Sequence, residues 1–596
     1  MLSRTVAIRL SSSSFLGFAL AGVLAAGLAA NPAQAATTTY DTNNTPYTGG
    51  TIDPGDTVLL NDGATVSGDT ITDNGTLQFN QTGALTISNT ISGTGTLSLT
   101  NSGTLNLSGT TVANATIVLD MATSVSAGLL QIRSGIGQLR IGSSGTGTLN
   151  VNGGSVTGLG GFLGFNAGSV GLATVSSGTW ATTGNMTVGR IGIGMLDVYG
   201  GRVTSDFADI GAQSGGYGSV TVSSGTLSMN RFVTVGRSGT GRLNVTGGLL
   251  MNASGTIGAA AGGFGTAEVS GGTWSNSGDL VVGASGNGTL TMNGGLMTVG
   301  GILSKGVAGT INLNSGGTLQ IGAGSTGGVL LGGTGSLVND GTLIFNRSDA
   351  STYSGDLSGS GKVAKQGAGQ LTLAGANSYS GLTTISTGTI ALSGTGSIGT
   401  GGLNLGTTGS PGVFDLLGLT ASSYSLPSSA ALAGVGTISG NGKSLAVLGS
   451  LAPGNSTGTI TVGTGLALDL SNSGTSLFEI TSPAFTAGTF DLVNGDGSVV
   501  FGGILNLAFS GGSYADGTDV LQIFAATGGR SGNFSAVNAT GLAAGQSATF
   551  NPATGTISVV PEPSTYVIAG LSSVGLAGMM RCRKRRAAKS GTGAMC

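Results

Sequence analysis

The residues able to carry chemistry in this chain are few, and nearly all are carboxylates. Asp53, Asp56 and Asp62 cluster early, Asp206 and Asp209 lie close together, and Asp491 and Asp496 flank a turn. Paired carboxylates perform acid/base work on glycosides, and Arg190 and Arg202 near Asp206 make that group the first place to look for a polysaccharide lyase or hydrolase site. Asp also favours turns, however, and each cluster is followed closely by glycine or an apolar strand, so a structural role is expected for all of them. Composition removes most other chemistry. There is no histidine, and Cys582 and Cys596 both lie near the C-terminus. Thiolate nucleophiles, His-based triads and the usual zinc or haem ligand sets are therefore excluded from the main body. No catalytic, metal or cofactor residue is assigned, and the protein is expected not to be an enzyme. Asn494-Gly495-Asp496-Gly497 reads as a hairpin turn rather than a calcium loop.

The elements that would position these side chains are short strands. Glycine accounts for 118 of 596 residues and proline for only 10, with no Gly-X-Y period, and the glycines punctuate short apolar alternations. An internal repeat orders them. Ile141-Gly142, Leu163-Gly164, Val188-Gly189, Ile210-Gly211, Val235-Gly236, Ile257-Gly258 and Val282-Gly283 recur at alternating spacings of 22 and 25, so the unit is 47 residues in two unequal coils. Trp180, Leu227 and Trp274 repeat at the same 47, as do Val156, Val203, Leu250 and Met297.

Within each coil, Val151, Val175, Val198, Val222, Val245, Val269 and Met292 occupy one position, each preceded by a polar residue from the set Asn150, Thr174, Asp197, Thr221, Asn244, Glu268 and Thr291. With a side-chain period of two, the first row faces a core and the second faces solvent. Glycine pairs such as Gly153-Gly154, Gly200-Gly201 and Gly294-Gly295 mark corners that call for positive φ. A coil of this size cannot bury its apolar row alone and must stack on neighbours, which predicts an all-β, right-handed parallel β-solenoid. A propeller would need four antiparallel strands per blade and carry aromatic or Trp-Asp signatures, which are missing. On the order of 20 coils would make a rod of roughly 100 Å at the strand spacing.

A second duplication brackets the array. Asn74–Asn80 matches Asp340–Asn346, Ile91–Gly95 matches Leu357–Gly361, and Gly103–Leu107 matches Gly369–Leu373, all at an offset of 266. The run Gly367–Ile385, with its Asn377-Ser378-Tyr379-Ser380-Gly381 portion, resembles the autotransporter-associated β-strand repeat of passenger domains, over 357–392 and partially over 72–109. That resemblance implies a β-helical passenger and transfers no catalytic site. The residues after the repeat do not show the strands of an outer-membrane barrel.

Both ends read as export signals. Arg4 and Arg9 precede the apolar stretch Phe15–Ala30, and Ala33-Gln34-Ala35 fits a signal-peptidase site. At the other end, Pro561-Glu562-Pro563 precedes an uncharged run, Ser564–Met580, and then Arg581, Arg583, Lys584, Arg585, Arg586 and Lys589. As a helix the run would span about 26 Å, close to the lower limit for a single membrane-spanning segment, with the cations held on the cytoplasmic side. The ordered tripeptide, span and arginine cluster resemble the PEP-CTERM sorting signal. That resemblance implies processing by an exosortase-type membrane protease after Sec export, a transient inner-membrane anchor, and release to the cell surface or an exopolysaccharide-rich matrix.

The expected organisation is a signal peptide at 1–35, N-terminal coils at 36–135, the 22/25 array at 136–335, the passenger-type repeat at 336–408, a β-rich end at 409–558 and the sorting signal at 559–590, with its membrane segment at 564–580. Net charge is −2, and because so many cations sit in the tail the remainder is acidic, which argues against nucleic acid as a partner. The expected role is scaffolding or adhesion, with a polysaccharide-acting enzyme or a passenger exported by a separate barrel as alternatives.

Overall fold

The structure is a computed structural model that describes residues 35–562, apart from 42–45, 69, 81, 88–89, 101–103, 108–110, 115, 120–121, 126–128, 133–137, 331–335 and 518–519. The proposed signal peptide up to Gln34, the membrane segment 564–580 and the arginine cluster lie outside these residues. Among the described residues no helix is long and apolar enough to cross a membrane.

The chain winds as a parallel β-solenoid. One ladder, here the long face, runs without a break through 22 strands from Gly50–Ile52 to Ala536–Thr540, every pairing parallel. At about 4.8 Å per strand this ladder is roughly 100 Å long. In the array each coil passes from the long face to a second face, for example Ser155–Gly158 to Gly161–Leu163, then to a third face at Val170–Val175 and back. The third face stacks 11 strands, from Ala84–Ile87 to Gly309–Leu313.

The valine row forms a column as its period demands. Val151, Val175, Val198, Val222, Val245, Val269 and Met292 are in direct register on the third face and fully buried. Their polar predecessors are at least partly exposed. Burying such a side chain contributes about 1.5–3 kcal/mol, and one column repeats the gain at every rung. Trp180 and Trp274 join Val156, Val203, Leu227, Leu250 and Met297 in a second column on the long face, which explains why both series repeated at 47 residues, or two coils.

Corners rest on glycine. The seven glycines following the apolar marker residues have φ between 65° and 73°, and one of each glycine pair cited above also has positive φ. At Gly211 a Cβ would stand 2.2 Å from the carbonyl oxygen of Thr240 in the next coil, so only glycine permits both this turn and this stacking distance.

Two features differ from the sequence reading. Asn494-Gly495-Asp496-Gly497 is a solenoid corner and not a hairpin, because Leu492–Gly495 pairs in parallel with Thr459–Val462 while Ser498–Phe501 pairs in parallel with Ala467–Asp469 on another face. The turn sequence is the same, but the strands leaving it are captured by different neighbours. The long strands Arg202–Ile210, Thr226–Val235 and Leu249–Ile257 each serve two faces, and the first two bend with register shifts after Ser205 and Met229.

Candidate functional surface

Most of the carboxylates named from sequence are engaged in holding the fold, while Asp53 and Asp56 share one turn, where Asp56 N donates to Asp53 O at 3.0 Å. In 20-residue coils, Asp and Asn side chains accept a backbone N–H from an adjacent coil. Asp56 Oδ1 accepts from Ala36 N (2.8 Å), Asp340 Oδ1 from Ser360 N (2.8 Å) and Asp356 Oδ1 from Ala376 N (2.7 Å). Asp62 takes both the N–H and the hydroxyl of Thr82. Hydrogen bonding holds the Asp62 carboxyl below the usual range, first through the Thr82 hydroxyl, and Asp340 likewise, first through the Ser360 N–H. Asn74 makes to Thr94 the bond that Asp340 makes to Ser360, so the 266-residue duplication preserves a clasp between coils.

The middle group does not converge. Arg190 follows the glycine corner between the second and third faces, Arg202 begins a long-face strand, and Asp206 lies at the bend between the long and second faces. They occupy three different corners of the coil. Asp206 Oδ1 accepts from Asn230 Nδ2 at 2.8 Å, and Asp209 pairs with Arg237 at 2.8 Å while burial pushes its carboxyl upward. Asp496 accepts from the Thr527 hydroxyl at 3.0 Å. Asp491 is buried, accepts from Gly458 N at 2.8 Å and Glu479 N at 2.7 Å, and is pushed up to about 7 by that burial. Among the described residues no group of three or more acidic or sulfur ligands is placed to hold a metal ion.

Sequence reasoning missed two arrangements. Lys365 points inward, in register with Phe345 and Ile385, and its Nζ donates to the carbonyls of Gln366 and Gly367, both at 2.7 Å. Its alternation with Val363 contains the signal, since both share the buried parity of the strand. On the surface, the guanidiniums of Arg140 and Arg190 lie 4.1 and 4.3 Å from the centroid of the Phe165 ring. Aligning Arg190 with Arg237 across the 47-residue unit would have drawn attention to this corner. An open cleft of about 350 Å³, lined by Thr384, Ser386, Asn404, Thr407 and Asn455 among others, offers hydroxyls and amides but no carboxylate, so it can hydrogen-bond but not catalyse proton transfer.

Of Pro561-Glu562-Pro563, Pro561 and Glu562 are described. Thr556–Pro561 is the last strand, antiparallel to Gln546–Asn551, with Ile557 and Val559 buried. Glu562 N donates to Gly545 O at 2.7 Å, and both Pro561 and Glu562 are exposed. Pro563 lies outside the described residues, as does Ala33. Ala35 is exposed.

The architecture defines a class, a long all-β solenoid whose coils carry a passenger-type repeat. Residues 363–392 match the family model of the passenger-associated-transport-repeat. A 54-residue stretch, 9% of this chain, is 44% identical to the adhesin BmaC autotransporter of Brucella suis biovar 1 (strain 1330), and it covers 2% of that much longer protein.

Proposed function

We propose that this protein is an exported, non-enzymatic rod that acts in scaffolding or adhesion at the cell surface or in the extracellular matrix. The observation that carries this reading is the unbroken 22-strand ladder, which converts repeat number directly into reach. The passenger-repeat match and the likeness to part of an adhesin support it. The use of Asp56, Asp206 and Asp209 in clasps and an ion pair favours a rod over a hydrolase.

In this proposal Sec export and signal cleavage after Ala33-Gln34-Ala35 deliver the chain. The segment 564–580 with Arg581, Arg583, Lys584, Arg585 and Arg586 anchors it transiently in the inner membrane, and an exosortase-type protease acts at Pro561-Glu562-Pro563. The exposure of Pro561 and Glu562 at the end of the last strand suits access by a protease. Exopolysaccharide is the proposed contact of the displayed rod. A second reading, a passenger carried through the outer membrane by a separate barrel, is favoured by the passenger-repeat match at 363–392.

The intact mass of protein recovered from the surface or medium tests the scheme. Loss of both ends, near Ala35 and near Pro561, is expected, and a retained cationic tail would defeat the sorting proposal. Deleting 561–596 separates the two readings, since it relocates an exosortase substrate but leaves barrel-dependent display intact.

A further inference from the structure

Charge is distributed unevenly along the rod. Between residues 138 and 245 there are six arginines (140, 190, 202, 231, 237 and 242) against three acids (Asp197, Asp206 and Asp209). The coils before this belt, 36–135, hold seven acids and one cation, and residues 246–560 hold twelve acids and six cations. A cationic belt on an otherwise acidic rod attracts anions, whether a ligand or the acidic coils of a second copy.

Two of the belt's arginines are set apart by comparison with a third. Arg190 and Arg237 occupy the same corner two coils apart, each immediately after a left-handed glycine. Arg237 is neutralised by Asp209 at 2.8 Å. The residue equivalent to Asp209, 47 positions earlier, is Phe162, so Arg190 has no acid in that place. It lies instead over Phe165, which it shares with Arg140, and Phe165 is braced edge-on by Phe162 at 5.3 Å. Arg140 spends Nε and Nη2 on the Gln138 amide oxygen, a neutral acceptor. Among the described residues neither guanidinium is in a salt bridge, and both are partly exposed. Burial and then the charge of Arg190 push Arg140 downward, so the charge felt at Arg140 is a second cation and not an anion.

Holding two like charges against one ring costs energy that an anion between them would recover. Arg140 keeps Nη1 and Arg190 keeps its planar fork of donors for an outside acceptor, a donor set that suits carboxylates. The two cations come from coils two rungs apart and meet over one ring, Arg140 from a second-face strand and Arg190 from just past the glycine corner, so a polyanion crossing this corner meets both.

We propose that the corner formed by Arg140, Phe165 and Arg190 binds the carboxylates of an acidic polysaccharide, which gives the surface-rod reading on which this rests a ligand class and a location. Protein recovered from the cell surface is to be titrated with polygalacturonate, and with dextran as the neutral control, at low and moderate salt. Wild type should bind polygalacturonate in a salt-sensitive manner and ignore dextran. Arg140→Gln with Arg190→Gln should weaken binding tenfold or more, and Arg231→Gln with Arg242→Gln, which removes an equal charge elsewhere in the belt, by less than threefold. Arg140→Lys with Arg190→Lys keeps charge but loses the planar fork and should fall between, which separates ligation from misfolding.

Equal binding to dextran, or an unchanged affinity in the first Arg→Gln pair, would overturn the proposal. So would absence of polygalacturonate binding together with concentration-dependent self-association that the first Arg→Gln pair abolishes, which would assign the corner to the acidic N-terminal coils of a second copy. If cells lacking the protein attach and build matrix normally while the purified rod still binds polygalacturonate through this corner, the site stands and the surface-rod reading fails.

Discussion

The array at 136–335 and the distal end beyond 409 solve opposite problems with the same parallel ladder. In the array each coil offers its neighbour an almost identical surface, with aliphatic columns, left-handed glycine corners and, on the third face, constant register. Such a stack propagates but has no reason to stop, and its last rung would expose an open edge and an apolar floor. At the distal end the coils lengthen, with long-face partners 29 residues apart at Thr475 and Ile504 and 32 apart at Ile504 and Ala536. The aliphatic columns give way to a cluster of Phe478, Phe501, Phe524, Phe534 and Phe550, with ring centroids 4.9 to 6.0 Å apart. Three antiparallel strands, Val520–Gln522, Gln546–Asn551 and Thr556–Pro561, then close the structure. Repetition builds length, and breaking the repetition ends it.

The largest effect expected from challenging that contrast comes from the array. Val222→Asp places a charge without a partner in a fully buried column and should cost more than about 4 kcal/mol. Because each coil is stabilised by its neighbours, limited proteolysis should show cleavage spreading through adjoining coils. Cleavage confined to one coil would contradict nearest-neighbour coupling. Phe524→Ala comes next, at about 3–5 kcal/mol for an aromatic lost from a packed cluster. Here proteolysis should open residues beyond about 475 while the array stays protected. If the array melts at the same midpoint as the end, the two are one cooperative unit and the contrast is only architectural.

These two regions were also unequally legible in the sequence. The valine column and the glycine corners could be read because periods of two and of 47 residues are properties of the chain itself, and the structure needs both at every rung. The duplication at offset 266 could be read as a repeat but not placed. Thr76–Asn80 stacks on the second face with Thr57–Asn61 and Thr96–Thr100, whereas its copy Thr342–Asn346 stacks on the long face with Thr318–Ile321. Changing coil lengths in between rotate the second copy by one face, and no local pattern records an accumulated rotation. The corner at 494–497 was misread for a related reason, since turn chemistry fixes a bend but not which strands receive the chain. The Arg140–Phe165–Arg190 corner escaped notice because its members come from three successive coils and none is unusual alone.

A smaller, pH-dependent effect should distinguish the distal end. Burial holds the Asp491 carboxyl at about 7, above its ordinary 3.8, even though two backbone N–H groups donate to it. Between about pH 4 and 7 the folded protein keeps a proton that the unfolded chain has released, so stability falls as pH rises through that window and is flat above it. Asp491→Asn should remove the slope, measured as the chemical-denaturation midpoint of the distal end from pH 4 to 8. A slope of the opposite sign would mean that the two N–H donors outweigh burial.

The smallest effect lies between the two regions, in the passenger-type repeat, where Lys365 occupies a core position that the array would fill with an aliphatic residue. Burial lowers its pKa from 10.5 to about 8, so between those values the unfolded chain binds a proton that the folded chain lacks. Stability should therefore rise with pH from about 8 to 10.5, the reverse of the slope at Asp491, and the deficit is fully present below 8. Lys365→Met removes the titrating group but orphans the corner carbonyls of Gln366 and Gly367, a cost of about 1–3 kcal/mol that opposes the gain from removing a buried charge. The net change at pH 7 should be small while the alkaline slope disappears. If the variant is instead strongly destabilised at every pH, the ammonium is a corner clasp that the repeat cannot fold without, and this coil depends on polar side chains where the array depends on glycine.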